Sequence, residues 1–273
     1  MKNELNLSVF FTVLEVVTPV FLLATIGFSW VKFGFEYRVE FVTRLAMTLA
    51  VPALVFTSLT QNTINPIFLS EMIIIVCLAY AVVSIMALIF TFIFELDVRT
   101  FLMPIISGNT GNLGLPLCFL AFGQDGLGYA VIVFAFTSIV AFTLGLWVIS
   151  GVHSFKQPFK EPLVPATILG LVFMFYDWEI PKTLTNALNL IAQMAIPLML
   201  ITLGVAVARI KTTLGFKTIG ISVSKIIIGI FAAVAVGHQF SLPYEAYAVL
   251  IIQMSMPMAL KSYLMAEKYG ANA

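Results

Sequence analysis

Two stretches of the 273-residue chain carry the residue types and spacing that could do chemistry. The first is Ser107-Gly108-Asn109-Thr110-Gly111-Asn112-Leu113-Gly114-Leu115-Pro116, and the second is Gln253-Met254-Ser255-Met256-Pro257-Met258-Ala259-Leu260-Lys261-Ser262. Glycines loosen the first stretch, and Pro116 and Pro257 lack an amide donor, so neither stretch runs as a regular helix. An interrupted helix leaves N–H groups unpaired at the start of its second half, which attract an anion. The segment from Asn112 to Gly114 is expected to supply such donors. Asn109, Thr110, Gly111, Asn112 and Gly114 form the expected substrate site, with Gln253, Ser255 and Lys261 opposite, and the two prolines shape the backbone. No acid occurs between Asp97 and Asp125, or between Glu245 and Glu267. A carrier of metal cations or protons needs carboxylates at such a point, so an anionic or neutral polar substrate fits better. The competing reading is that the glycines only let helices approach closely; the interleaved Asn and Thr side chains, costly at bilayer depth, argue for a site. No Gly-Lys-Ser/Thr follows the glycines, so nucleotide binding finds no support. No nucleophile with a base, no carboxylate pair and no His/Cys cluster is apparent, so no catalytic residue, metal site or cofactor is expected.

The elements that must position these stretches are membrane helices. The chain is 61% hydrophobic and only 10% charged, with 14 basic and 13 acidic side chains. That cannot solvate a water-facing surface of this size. Apolar runs at 8–31, 39–60, 69–94, 99–122, 126–151, 162–178, 183–208, 216–237 and 243–268 predict nine spanning helices. Strand alternation is absent, so a barrel is excluded. The net charge of +1 gives no field for nucleic acid. Cys77 and Cys118 lie inside apolar runs and act as small hydrophobes. Lys225, inside the eighth run, is read as structural, pairing with a carbonyl or snorkelling. Nine loop Lys and Arg residues, among them Arg38, Arg99 and Arg209, fall on one side, against Lys2 and Lys182 on the other. The expectation is a cytoplasmic-membrane protein with its amino terminus outside and the tail after the ninth helix inside.

The prolines repeat. Pro19, Pro52 and Pro116 are separated by 33 and 64 residues; Pro165, Pro197 and Pro257 by 32 and 60. Leu45 to Pro52 aligns with Leu190 to Pro197, which sets Thr57 opposite Thr202. An offset of five helices makes the repeats inverted in the bilayer, a transporter pattern with its substrate site near the midplane. The expected units are residues 1–151 for the first repeat and 162–273 for the second.

Arg44 to Leu59, Asn109 to Pro116 followed by Phe122-Gly123, Ala195-Ile196-Pro197 through Gly204, and Met256-Pro257 through Tyr269-Gly270 resemble the auxin efflux carrier family over essentially the whole chain. The resemblance implies ten helices in two inverted repeats, a scaffold of helices 1, 2, 6 and 7, and a transport domain in which helices 4 and 9 cross. It also implies a small organic anion as substrate, auxin-like or a carboxylate such as malate or malonate, and a homodimer in membrane lipid. Proton or sodium is the open choice of coupling ion, since the architecture is similar to that of bile-acid sodium symporters. An intramembrane enzyme or receptor is the reading from another class. Three residues follow Gly270. The family's tenth helix is therefore not in the sequence, and truncation is expected rather than a nine-helix variant.

Overall fold

In lipid every backbone N–H and C=O must find a partner within the protein, which leaves helices as the economical solution for apolar runs of this length. A computed structural model describes residues 2–61, 64, 66–145, 147–148, 161–210 and 216–259. Among them the chain is helical: α1 (Lys2–Lys32), α2 (Val39–Leu45), α3 (Val51–Gln61), α4 (Pro66–Ile93), α5 (Val98–Ile106), α6 (Leu115–Val140), α7 (Leu163–Phe175), α8 (Lys182–Gln193), α9 (Ala195–Arg209), α10 (Phe216–Gly237) and α11 (Tyr244–Met254). Six helical stretches among the described residues are long and apolar enough to cross a bilayer. Phe21, Phe92, Leu190 and Phe231 are each more than half exposed. In water such faces would aggregate, whereas against acyl chains they are the ordinary surface of an all-α integral membrane protein.

Proline accounts for the finer breaks. α2 and α3 form one span joined by a wide π-helical turn at Ala46–Ala50, because the ring of Pro52 crowds the carbonyl four residues earlier and withholds a donor. α8 and α9 are likewise one span that breaks at Met194, three residues before Pro197. The sequence separates the fourth and fifth runs between residues 122 and 126, and α6 is accordingly two helices that meet at a kink at Gly123, whose φ of 63° and ψ of −146° suit a residue without Cβ.

The helices pack in a paired pattern. α1 lies along α9, α3 along α7, α4 along α10, and α6 along α11. The α1–α9 contact is backbone against backbone: a Cβ at Gly27 would collide with the Ile201 carbonyl, and one at Gly204 with the Ala24 carbonyl. At one end of this pair the Tyr37 hydroxyl shares a 2.8 Å hydrogen bond with Thr202, and Arg209 Nη2 donates to the Tyr37 carbonyl at 2.7 Å. Arg38 and Arg209 therefore share one end of the bundle, as the charge pattern predicts. The main core gathers α3, α4, α5, α6 and α11 around Leu59, Met72, Ile105, Leu115 and Leu250. Tyr80 of α4 is hydrogen-bonded there to Thr137 of α6.

Candidate functional site at the crossing of two interrupted helices

α5 has nine residues and α11 eleven, so at 1.5 Å per residue they rise about 13 and 16 Å, roughly half the ~30 Å hydrocarbon core. Both stop where the chain loses helical geometry. Asp97 starts α5 as its N-cap, its carboxylate accepting from the Thr100 amide at 3.0 Å and from the Thr100 hydroxyl. Those bonds, the hydroxyl's foremost, hold the Asp97 carboxyl below its usual range. α5 ends at Ser107, which is extended (φ −92°, ψ 111°). α11 ends at Ser255, where Pro257 prevents continuation.

The two loose ends then bind each other. Gly108 and Met258 form an isolated antiparallel bridge, and the Asn109 N–H donates to the Pro257 carbonyl at 2.7 Å. Backbone groups left over from two broken helices thus satisfy one another at bilayer depth, the arrangement that permits such breaks at all. The chain next makes a single π-helical turn, Thr110–Gly114, and enters α6 with Pro116 in its first turn.

The donors differ in position from the sequence expectation. The N–H groups of Leu113 and Gly114 both point back to the Asn109 carbonyl, at 3.3 and 3.1 Å. The turn's opening N–H groups, those of Thr110, Gly111 and Asn112, precede any carbonyl that the turn itself could offer. Asn109 and Asn112 are half-buried and Thr110 is 2% exposed. The stretch beside the paired breaks therefore carries three opening amide donors and the carboxamides of Asn109 and Asn112.

Gln253 is fully buried and sits inside the crossing rather than on its rim. Its side chain lies against Gly114, where a Cβ would overlap Oε1, and its Nε2 donates to the Ala130 carbonyl at 3.5 Å. Gly111 is equally required, since a Cβ there would press on the Phe134 ring. Ser255 is half-buried and its hydroxyl donates within its own helix, to Ile252 at 2.8 Å. Two buried polar atoms, Ser107 Oγ and Gln253 Oε1, have no partner among the described residues, one from each interrupted segment. Lys261 lies outside the described residues.

The group that sequence reasoning underrated is Lys225 of α10. Its ammonium donates to the Met254 carbonyl at 3.0 Å and to the Met256 carbonyl. It reaches the crossing itself, since a Cβ at Gly108 would lie 2.9 Å from Nζ. The pairing with carbonyls agrees with the sequence reading, but nothing in the local sequence marks those carbonyls as the ends of the second interrupted helix. The available signal was depth: Lys225 stands near the middle of a run of 22 residues, where a lysine is rare and needs a partner.

Comparison with known proteins agrees with this architecture. The model of a family described as membrane transport protein matches residues 12–157 and 149–273. The chain is 25% identical over 275 residues to an uncharacterised transporter of Methanocaldococcus jannaschii, covering 94% of this chain and 89% of that one. A second uncharacterised transporter, from Methanothermobacter thermautotrophicus, is 25% identical over 272 residues, with 92% and 87% covered. A Rhizobium meliloti protein provisionally named a malonate transporter is 24% identical over 246 residues, with 81% and 75% covered. With its apolar spans and interrupted helices, this chain belongs to the membrane transport protein family, that of the auxin efflux carriers, and is a multi-pass membrane protein.

Proposed function

We propose that this protein carries small organic anions, monocarboxylates or dicarboxylates, across the cytoplasmic membrane by alternating access, with the crossing as the substrate site. The observation that carries the reading is the donor-rich turn at Thr110–Asn112 beside the paired chain breaks, with no acidic residue between Asp97 and Asp125 or, among the described residues, after Glu245. N–H groups at a helix start and the NH2 donors of two carboxamides are complementary to a carboxylate. Asn109, Thr110, Gly111 and Asn112 hold the carboxylate. Gly114 and Gln253 lock the turn from behind, with Ser255 at the end of the opposite interrupted helix. The relative from Rhizobium meliloti makes malonate the first substrate to test.

Alternating access follows from two inverted repeats, 1–151 and 162–273. Exchanging the repeats turns the contact of α1 with α9 into that of α7 with α3, and maps the pairing of α4 with α10, and that of the chain breaks that follow α5 and α11, onto themselves; this supports the two-fold relation. α1, α2, α3, α7, α8 and α9 form a fixed scaffold. α4, α5, α6, α10 and α11 move as one body carrying the crossing from one face to the other, with the amino terminus outside.

The test is malonate uptake into proteoliposomes containing the purified chain. Asn112→Ala deletes one hydrogen bond to a charged group, worth about 1.5–3 kcal/mol, so uptake at subsaturating malonate falls roughly 10- to 150-fold with folding retained. Unchanged uptake removes the crossing from the substrate path.

A further inference from the structure

Among the described residues Lys225 is the one buried charged side chain, 2% exposed. No carboxylate among the described residues forms an ion pair with it. Burying an unpaired ammonium in a low-dielectric interior costs several kcal/mol, so the surroundings must compensate. They do so with main-chain oxygen. Met254 is the last residue of α11, so its carbonyl has no partner within the helix, and the helix dipole is negative there. Met256 stands two residues further along the broken segment and offers a second carbonyl. Two glycines make room: a Cβ at Gly229 would collide with the Met254 carbonyl, and a Cβ at Gly108 would press on the ammonium. A cation held by the carbonyls of an interrupted membrane helix is the arrangement by which carriers bind a coupling ion such as sodium. In this chain that position is filled by a covalently tethered charge.

We propose that the Lys225 ammonium is a resident cation standing in for a coupling sodium ion: it neutralises the carbonyl end of α11 permanently, so that transport runs without a sodium gradient. The inference takes the crossing as the moving site, as in the reading above. It assigns Lys225 as a positioning residue that holds the α11 terminus against Gly108. Removal of the amine then leaves an unoccupied seat for a small monovalent cation on the carbonyls of Met254 and Met256.

The experiment compares thermal unfolding of the detergent-purified chain in sodium chloride and in N-methylglucamine chloride at equal ionic strength. The wild type has the same midpoint in both. Lys225→Ala unfolds at a lower temperature and regains about 5–10 °C with saturating sodium chloride. Lys225→Met, whose side chain refills the space without charge, gains nothing from sodium. A wild type selectively stabilised by sodium, or a Lys225→Ala variant indifferent to it, overturns the proposal. Should Lys225→Ala fail to fold, wild-type uptake decides: equal malonate uptake with and without a sodium gradient supports the proposal, and sodium-driven uptake overturns it. A wild type that neither binds nor moves malonate fails the substrate reading alone, because the sodium midpoints are read without substrate.

Discussion

Replacing Gly114 by alanine adds one methyl group at the tightest point behind the proposed substrate turn. An ideal Cβ there overlaps Gln253 Oε1, and its neighbours Cδ and Nε2 lie 2.8 and 3.0 Å away. Gln253 is fully buried on α11 and its amide is tied to the Ala130 carbonyl on α6, so it has no free direction in which to retreat. Overpacking of this kind costs about 1–3 kcal/mol, and loss of the Gln253 hydrogen bond adds about 0.5–1.5 kcal/mol. The expected destabilisation is therefore about 2–4 kcal/mol, a fall of roughly 5–15 °C in the unfolding midpoint for a chain of this size. The assay is thermal unfolding of Gly114→Ala, Gln253→Ala and the double variant in detergent. Shortening Gln253 vacates the volume that the new methyl needs, so the double variant should be more stable than the sum of the two single effects by at least about 1 kcal/mol. Strict additivity, or a Gly114→Ala protein as stable as the wild type, would refute the contact and with it the idea that Gln253 braces the turn from behind.

Other consequences are as direct. Gly204→Ala meets the main-chain carbonyl of Ala24 rather than a side chain, so α1 and α9 must separate; its midpoint should fall further than that of Gly114→Ala, and an equal or smaller fall would contradict the backbone contact. Asp97→Ala removes the α5 cap and should cost about 1 kcal/mol at neutral pH. Because the folded carboxyl titrates below its unfolded value of about 3.9, this contribution is fully present above that value and is lost as pH falls through the lower folded one. Midpoints of wild type and variant should therefore converge only below about pH 4. Sidedness can be read by labelling single cysteines on a Cys77→Ala, Cys118→Ala background with an impermeant maleimide: His238→Cys should react in intact cells, and Phe35→Cys only after permeabilisation. The reverse pattern would invert the proposed topology.

Much of the fold is legible in the chain because its causes are local. Lipid as solvent demands long apolar runs with closed hydrogen-bond ladders, and nothing else accommodates 10% charge. The interruptions at Gly108 to Pro116 and near Pro257 are legible for the same reason, since glycine and proline act on their own backbone. The Pro52 and Pro197 breaks follow the same rule.

What the sequence by itself determined, then, is the solvent, the helices, their breaks and the residue types at those breaks, all consequences of chemistry within a few residues. Only the tertiary structure decided which groups meet there. Asn109 spends its N–H on Pro257 and its carbonyl on Leu113 and Gly114, leaving the opening donors of the turn at Thr110, Gly111 and Asn112. Gln253 is drawn inside by the missing Cβ of Gly114, and Lys225 reaches the carbonyl end of α11 across a helix interface opened by Gly229. The pairings of Asn109 with Pro257, of Gly114 with Gln253 and of Lys225 with Met254 span 29 to 148 residues of sequence. They depend on how closely two backbones can approach, a property of the pair of helices that neither helix carries alone.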